Sequence, residues 1–186
     1  MRRHDPAGRI LHRQNHGRAQ RLASTDEPVG RGSIWHGGAV SIPRYIVAAG
    51  LVLSSQEGRI LMVQTFNRLG AGLILPGGLV EAGESPALTT SREVAEELGL
   101  QVTAERLLAV EHRAEAAGRP PSMQFVFAAN QLIDERETLN LQPDEIAEAH
   151  WVERGQAADR HTLAGQARMR AALVALDSGS PAYLET

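Results

Sequence analysis

Between Gly78 and Leu100 the chain reads GLVEAGESPALTTSREVAEELGL, and this stretch constrains the fold more than any other. Ser85 is a good N-cap, Pro86 suits the first helical position and Gly99 suits the αL position that ends a helix. The spacing therefore predicts a helix over 86–98, with Leu88, Ser91, Val94, Ala95 and Leu98 facing a core. Four glutamates crowd that helix and its entry: Glu84, Glu93, Glu96 and Glu97. Glu93 and Glu97 are i,i+4 neighbours, a spacing at which like charges destabilise a helix by a few tenths of a kcal/mol. Arg92 can pair with Glu96 or reach back to Glu84, and net negative charge still remains on one face. A solvated acidic face would account for the helix alone. A hard divalent cation held by carboxylate oxygens accounts for the helix and for the loop ahead of it. There Pro76-Gly77-Gly78 allows close backbone approach, and a carbonyl can serve as a further ligand.

The rest of the chain reads as strands and helices around this segment. Tyr45 to Leu53 and Arg59 to Phe66 are apolar runs of strand length, separated by the turn cluster Ser54–Gly58 and expected to pair as a hairpin. Leu73 to Leu75 is a short strand stopped by Pro76. Strand-like segments return at Gln101–Ala104, Leu107–Arg113, Met123–Leu132 and Ile146–Val152, with a polar loop over 134–144. Ala164 to Leu176 carries Ala, Met, Leu and Val at helical spacing. Strands, helix, strands, helix is the order of an α+β fold with helices packed on a mixed sheet. We divide the chain into a basic extension over 1–40, a folded domain over 41–178 and a tail over 179–186. One short strand is expected near Ser33–Ser41.

Composition excludes several chemistries. The 186 residues contain no cysteine, so thiolate metal sites and cysteine nucleophiles are excluded. All 19 cationic side chains are arginine, which excludes lysine Schiff bases and P-loop lysines. No apolar stretch approaches the roughly 18 residues of a membrane span. The net charge of −3 is uneven: residues 1–31 hold seven arginines against Asp5, Asp26 and Glu27, a local +4 that leaves −7 on the remainder. No apolar run follows Arg2 and Arg3, so the arm is not a secretory signal. With the lack of cysteine, this suggests the cytoplasm.

The segment from Gly78 to Leu100 resembles the Nudix box of the Nudix hydrolases. Gly78, Glu84, Arg92, Glu93, Val94, Glu96, Glu97, Gly99 and Leu100 occupy every fixed position of that pattern without insertion. The looser resemblance runs from about Arg44 to Leu176. It implies a Nudix-like α/β/α sandwich with a mixed β-sheet between helices. It also implies that Glu93, Glu96 and Glu97 bind Mg²⁺ or Mn²⁺, with the Gly77 carbonyl as a further ligand. Arg92 would orient the glutamates, and Glu84 would anchor the loop through Arg92. Family members often add an acid from a loop before a late Trp-containing strand. Here that loop precedes Trp151, with Glu145 the choice and Asp144 and Glu148 its rivals. The general base is left open among Glu93, Glu97 and Glu145.

By the same resemblance the reaction is metal-dependent hydrolysis of the diphosphate bond in a nucleoside diphosphate derivative, by attack of water on phosphorus. Markers of named subfamilies are absent: Ala116 stands where an ADP-ribose type often has proline, and no tyrosine lies in Glu115–Gly118. Elimination leans towards a nucleoside triphosphate or related nucleotide. The alternatives are an ADP-ribose or nucleotide-sugar pyrophosphatase, an RNA 5′-end pyrophosphohydrolase using the arginine-rich arm, or a nucleotide-sensing protein without turnover. Arg44, Arg68, Arg113 and Arg119 are candidates for contacting outer phosphates or a base. His112 and His150 are read as structural, the His12–His16 pair as incidental, and Trp35 and Trp151 as core packing. A small nucleotide is the expected partner, with neither membrane nor nucleic acid; a homodimer would follow the habit of the family.

Overall fold

The computed structural model describes residues 44–116 and 118–186. The expected strand near Ser33–Ser41, the His12–His16 pair and Trp35 lie outside the described residues. The elements are β1 (Ile46–Val52), β2 (Ile60–Thr65), β3 (Gly77–Leu79), α1 (Pro86–Leu98), β4 (Ala104–Arg113), β5 (Ser122–Ala129), β6 (Ile146–Val152), α2 (Arg154–Arg160), α3 (Gln166–Ser178) and β7 (Ala182–Glu185).

Five strands form a mixed sheet in the order β3-β1-β5-β4-β7. β1 pairs parallel with β5 and β4 parallel with β7, while β1–β3 and β4–β5 are antiparallel. β2 and β6 form a separate antiparallel pair. The period-2 alternation of a strand sends successive side chains to opposite faces. In β1, Val52 joins one apolar cluster with Met169, Ala172 and Ala175 of α3. Its neighbours Leu51 and Leu53 join the other cluster, with Val94 and Leu98 of α1. β2 divides in the same way, Ile60 and Met62 against Leu61 and Val63. Helices thus cover both faces of strands that are apolar on both sides, which is the α+β sandwich the sequence implies.

The structure corrects four expectations. The hairpin of β1 and β2 is formed only at its base, where the Leu61 N–H donates to the Leu53 carbonyl at 3.0 Å. Beyond that point the two strands part into different sheets. Gly77–Leu79, read as a loop, is an edge strand whose pairing partner is β1. The α1 stripe is rotated: Leu88 is 63% exposed, while Thr89, Thr90 and Glu97 are buried beside Val94 and Leu98. The two threonines satisfy their hydroxyls locally, Thr89 on Glu84 and Thr90 on the Ala87 carbonyl. Residues 182–185, read as part of a tail, form β7 on the sheet edge. Helix α2 was not expected at all. No helix among the described residues is long and apolar enough to cross a membrane.

The caps of α1 are as expected. The Ser85 hydroxyl accepts from the Leu88 N–H at 3.3 Å, and Gly99 adopts φ 73°. These caps fix where the helix begins and ends, and therefore which way Glu93, Glu96 and Glu97 project.

Candidate active site

The acidic residues of α1 reach over the sheet edge because the edge strand is made of glycine. A Cβ on Gly77, which has φ +142°, would run into the Ala49 carbonyl, and one on Gly78 would occupy the place of the Glu93 carboxylate. The backbone of β3 can thus lie flat beneath two carboxylates. Glu97 is 1% exposed, and its Oε2 accepts from the Gly77 N–H at 3.0 Å. Burial pushes its pKa up to about 8, and the charges of Glu93, Glu145 and Glu96 push the same way. Glu93 is also raised, first by burial and then by Glu96 and Glu145, against the opposing pull of Arg92.

Arg92 is the fixed point of the acidic group. Its Nε and Nη2 each donate to Glu84 at 3.1 Å, a two-pronged pairing. Its Nη1 donates to Glu93 and to Glu96, both at 3.0 Å. The Thr89 hydroxyl adds a bond of 2.8 Å to Glu84. Arg92 and Thr89 together hold the Glu84 carboxyl at about 2. Glu84 therefore stays ionised and keeps the guanidinium in place.

These residues form one wall of a cleft of about 880 Å³ lined by Gly77, Glu93, Glu96, Glu97 and Glu145. Of the three acids weighed on the loop before β6, Glu145 lines this cleft; Asp144 and Glu148 do not, and Glu148 lies 3.0 Å from His150. Arg68, Arg113 and Arg119 line the cleft as well. Arg44 is exposed ahead of β1 and is not part of the lining. His112 lies against Tyr45, with ring centroids 5.7 Å apart, and Trp151 packs on the α1-side core.

Several residues of the cleft were not expected from the sequence. His161, Thr162 and Arg168 line it. Glu111 is 1% exposed behind them; it pairs with Arg168 and accepts from the Thr186 hydroxyl at 3.1 Å. His161 is buried; burial and then the charge of Arg168 lower its pKa to about 4, so it is neutral at ordinary pH. Its ring fills the space where Gly165 lacks a side chain. The local signal was this glycine following a histidine ahead of a helix, which is too common a pattern to single out. Glu111 and Arg168 stand 57 positions apart, and only the fold brings them together.

The donor chemistry of the acidic wall suits a hard cation: carboxylate oxygens and a backbone carbonyl, open to a cleft with room for water and substrate oxygens. Among the described residues no three His, Asp or Glu side chains converge on one point. Glu97 is turned to the Gly77 N–H and Glu96 to Arg92, so the donors share a wall without forming a closed cage.

The model of the NUDIX domain matches residues 44–173, most of the chain. The chain belongs to the Nudix family. Its Nudix box is the segment from β3 through α1, and the Glu145 loop and the Arg168 helix face the same cleft. Among curated relatives, nucleoside diphosphate-linked moiety X motif 6 of Mus musculus is 30% identical over 138 residues, covering 70% of this chain and 43% of that protein. ADP-ribose pyrophosphatase of Bacillus subtilis is 32% identical over 103 residues, covering 54% of this chain and 55% of that protein. This Nudix chain thus spans about half the length of these relatives or less. Among solved structures, the E. coli ORF135 protein superposes with TM-score 0.60 at 23% identity, over 75% of this chain and 95% of that one. That likeness speaks for the Nudix fold alone.

Proposed function

We propose that this Nudix chain is a pyrophosphohydrolase that uses Mg²⁺ or Mn²⁺ to hydrolyse the diphosphate bond of a nucleoside diphosphate derivative, with a nucleoside triphosphate or related nucleotide as the favoured substrate. One observation carries the reading: Glu93, Glu96, Glu97 and Glu145 line a single cleft while Arg92 neutralises only part of their charge. An anionic diphosphate would be repelled by that wall alone. A divalent cation held by Glu93, Glu96, Glu97, Glu145 and the Gly77 carbonyl would reverse the local field, polarise the phosphate and acidify a water. The two relatives, nucleoside diphosphate-linked moiety X motif 6 and ADP-ribose pyrophosphatase, share the nucleoside diphosphate linkage in their names and support this class.

The chain's own groups would divide the work. Arg92, held by Glu84, fixes the rotamers of Glu93 and Glu96. The Gly77 N–H holds Glu97 against the edge strand. Glu93, Glu97 or Glu145 takes the proton from the attacking water, each being a carboxylate on the cleft wall. No covalent intermediate is needed, since water can displace the leaving phosphate in line. The site residues suit the cytoplasm's supply of nucleotides and magnesium, and that is the compartment we assign. The test is phosphate and pyrophosphate release from a panel of nucleoside triphosphates, ADP-ribose and nucleotide sugars. We expect turnover with Mg²⁺ or Mn²⁺ that ceases in EDTA. A panel silent in both metals would defeat the reading.

A further inference from the structure

The two ends of the cleft have opposite charge. The acidic wall lies at β3, the sheet edge, and Glu111 and Arg113 lie on β4, three strands away in the order β3-β1-β5-β4. Adjacent strands are about 4.8 Å apart, so the two ends are separated by about 14 Å across the sheet. That is several times the spacing of the two phosphorus atoms in a diphosphate. A substrate seated with its diphosphate at the acidic wall brings a more distant part of itself to β4.

The far end is built and not merely basic. Arg168 projects from the first turn of α3, and its side chain is 15% exposed. One nitrogen, Nη1, is bound to Glu111. Its Nε and Nη2 have no hydrogen-bond partner among the described residues. Arg168 itself lines the cleft. Glu111 is held in turn by the Thr186 hydroxyl. Arg113 and Arg68 both lie near enough to act on Arg168 as like charges. Neither forms an ion pair among the described residues. Four guanidinium groups, of Arg68, Arg113, Arg119 and Arg168, line this cleft, against the carboxylates of Glu111 and of the Thr186 end of β7, so positive charge is left in excess there. A neutral base or ribose does not need it; an oxyanion does.

We propose that Arg168, positioned by Glu111, is a substrate-binding residue for a second phosphate group, carried by the substrate beyond the scissile diphosphate, with Arg113 and Arg68 completing the subsite. The inference rests on the reading of this cleft as a nucleotide site and narrows it, within related nucleotides, to one that carries a phosphate apart from its 5′ phosphate chain. It does not depend on turnover, so mono- and bisphosphates, which have no diphosphate bond to cleave, test it separately with Mg²⁺ present.

Binding of adenosine 5′-monophosphate, adenosine 2′,5′-bisphosphate, adenosine 3′,5′-bisphosphate and inorganic phosphate to the full chain would be measured by calorimetry. We expect at least one bisphosphate to bind about 10-fold or more tightly than the monophosphate, the effect of one added charge-assisted contact. That advantage should vanish in Arg113→Gln. It should vanish too in the double variant Arg168→Gln with Glu111→Gln, which leaves no buried charge unpaired and so guards against simple unfolding. Equal binding of monophosphate and both bisphosphates would overturn the proposal. So would an advantage that survives both variants, or inorganic phosphate binding as tightly as the better bisphosphate. A bisphosphate advantage without hydrolysis of any nucleotide would uphold the subsite and defeat the hydrolase reading alone.

Discussion

Glu97, on the cleft wall, and Glu111, behind Arg168 of the same cleft, are equally buried, at 1% exposure each, in opposite surroundings. Glu111 has a guanidinium on one oxygen and a hydroxyl on the other. Glu97 has a single backbone N–H, and its charged neighbours Glu93, Glu145 and Glu96 all repel it. The protein itself satisfies the first carboxylate and leaves the second waiting for positive charge. Burial alone therefore does not distinguish a paired carboxylate from a candidate cation ligand; the sign of the surrounding charge does.

That comparison can be broken most sharply by exchanging each charge for a neutral group. Glu111→Ala strands the Arg168 charge in a buried place and should cost about 3–5 kcal/mol of stability in chemical denaturation. Glu97→Gln replaces a carboxyl whose charged form is disfavoured by a neutral group of the same shape, so its midpoint of unfolding should be unchanged or raised, while turnover falls by about 10²-fold or more. If Glu97→Gln unfolds the chain as readily as Glu111→Ala, the two residues play the same part and the distinction is lost.

The basic end also makes a pH prediction. The buried His161 has a pKa of about 4 against an ordinary value of 6.5. Between these values the unfolded chain binds the extra proton and the folded chain does not. Stability is therefore full above pH 6.5 and falls as the pH is lowered towards 4, by up to about 3 kcal/mol. His161→Asn should flatten that part of the stability profile. An unchanged slope in the variant would mean that other groups carry it.

A smaller effect sharpens the acidic end. Arg92→Ala leaves Glu84, Glu93 and Glu96 without their common partner. Turnover or metal affinity should fall about 10–100-fold, the usual cost of losing a group that orients ligands. Glu84→Gln should act in the same direction through the lost two-pronged pairing, and less strongly, since Arg92 keeps Glu93 and Glu96.

How far the molecule could be read in advance follows the range of the forces involved. The helix α1 was legible because its caps, Ser85, Pro86 and Gly99, act within a few residues. The acidic wall was legible because Glu93, Glu96 and Glu97 share one helix at fixed spacing. Strand β3 was not, since Gly77 and Gly78 have no strand preference and are held there by β1 across the sheet. The parting of β1 from β2 was hidden for a related reason: both are apolar on both faces, so alternation does not say which neighbour each will choose. Thr89 and Thr90 turned the buried face of α1 because their hydroxyls found partners within the helix and its entry loop. Arg168 was invisible as a cleft residue, because its partner Glu111 belongs to a distant strand.

The central claim is that the acidic wall is completed by a divalent cation. Calorimetric titration of Mn²⁺ into the metal-free chain, with Glu97→Gln and Glu111→Gln beside it, tests this most directly. The account predicts saturable binding to the wild type, binding largely lost in Glu97→Gln, and binding retained in Glu111→Gln. Binding of equal strength in the wild type and Glu97→Gln, or none in the wild type, would contradict it.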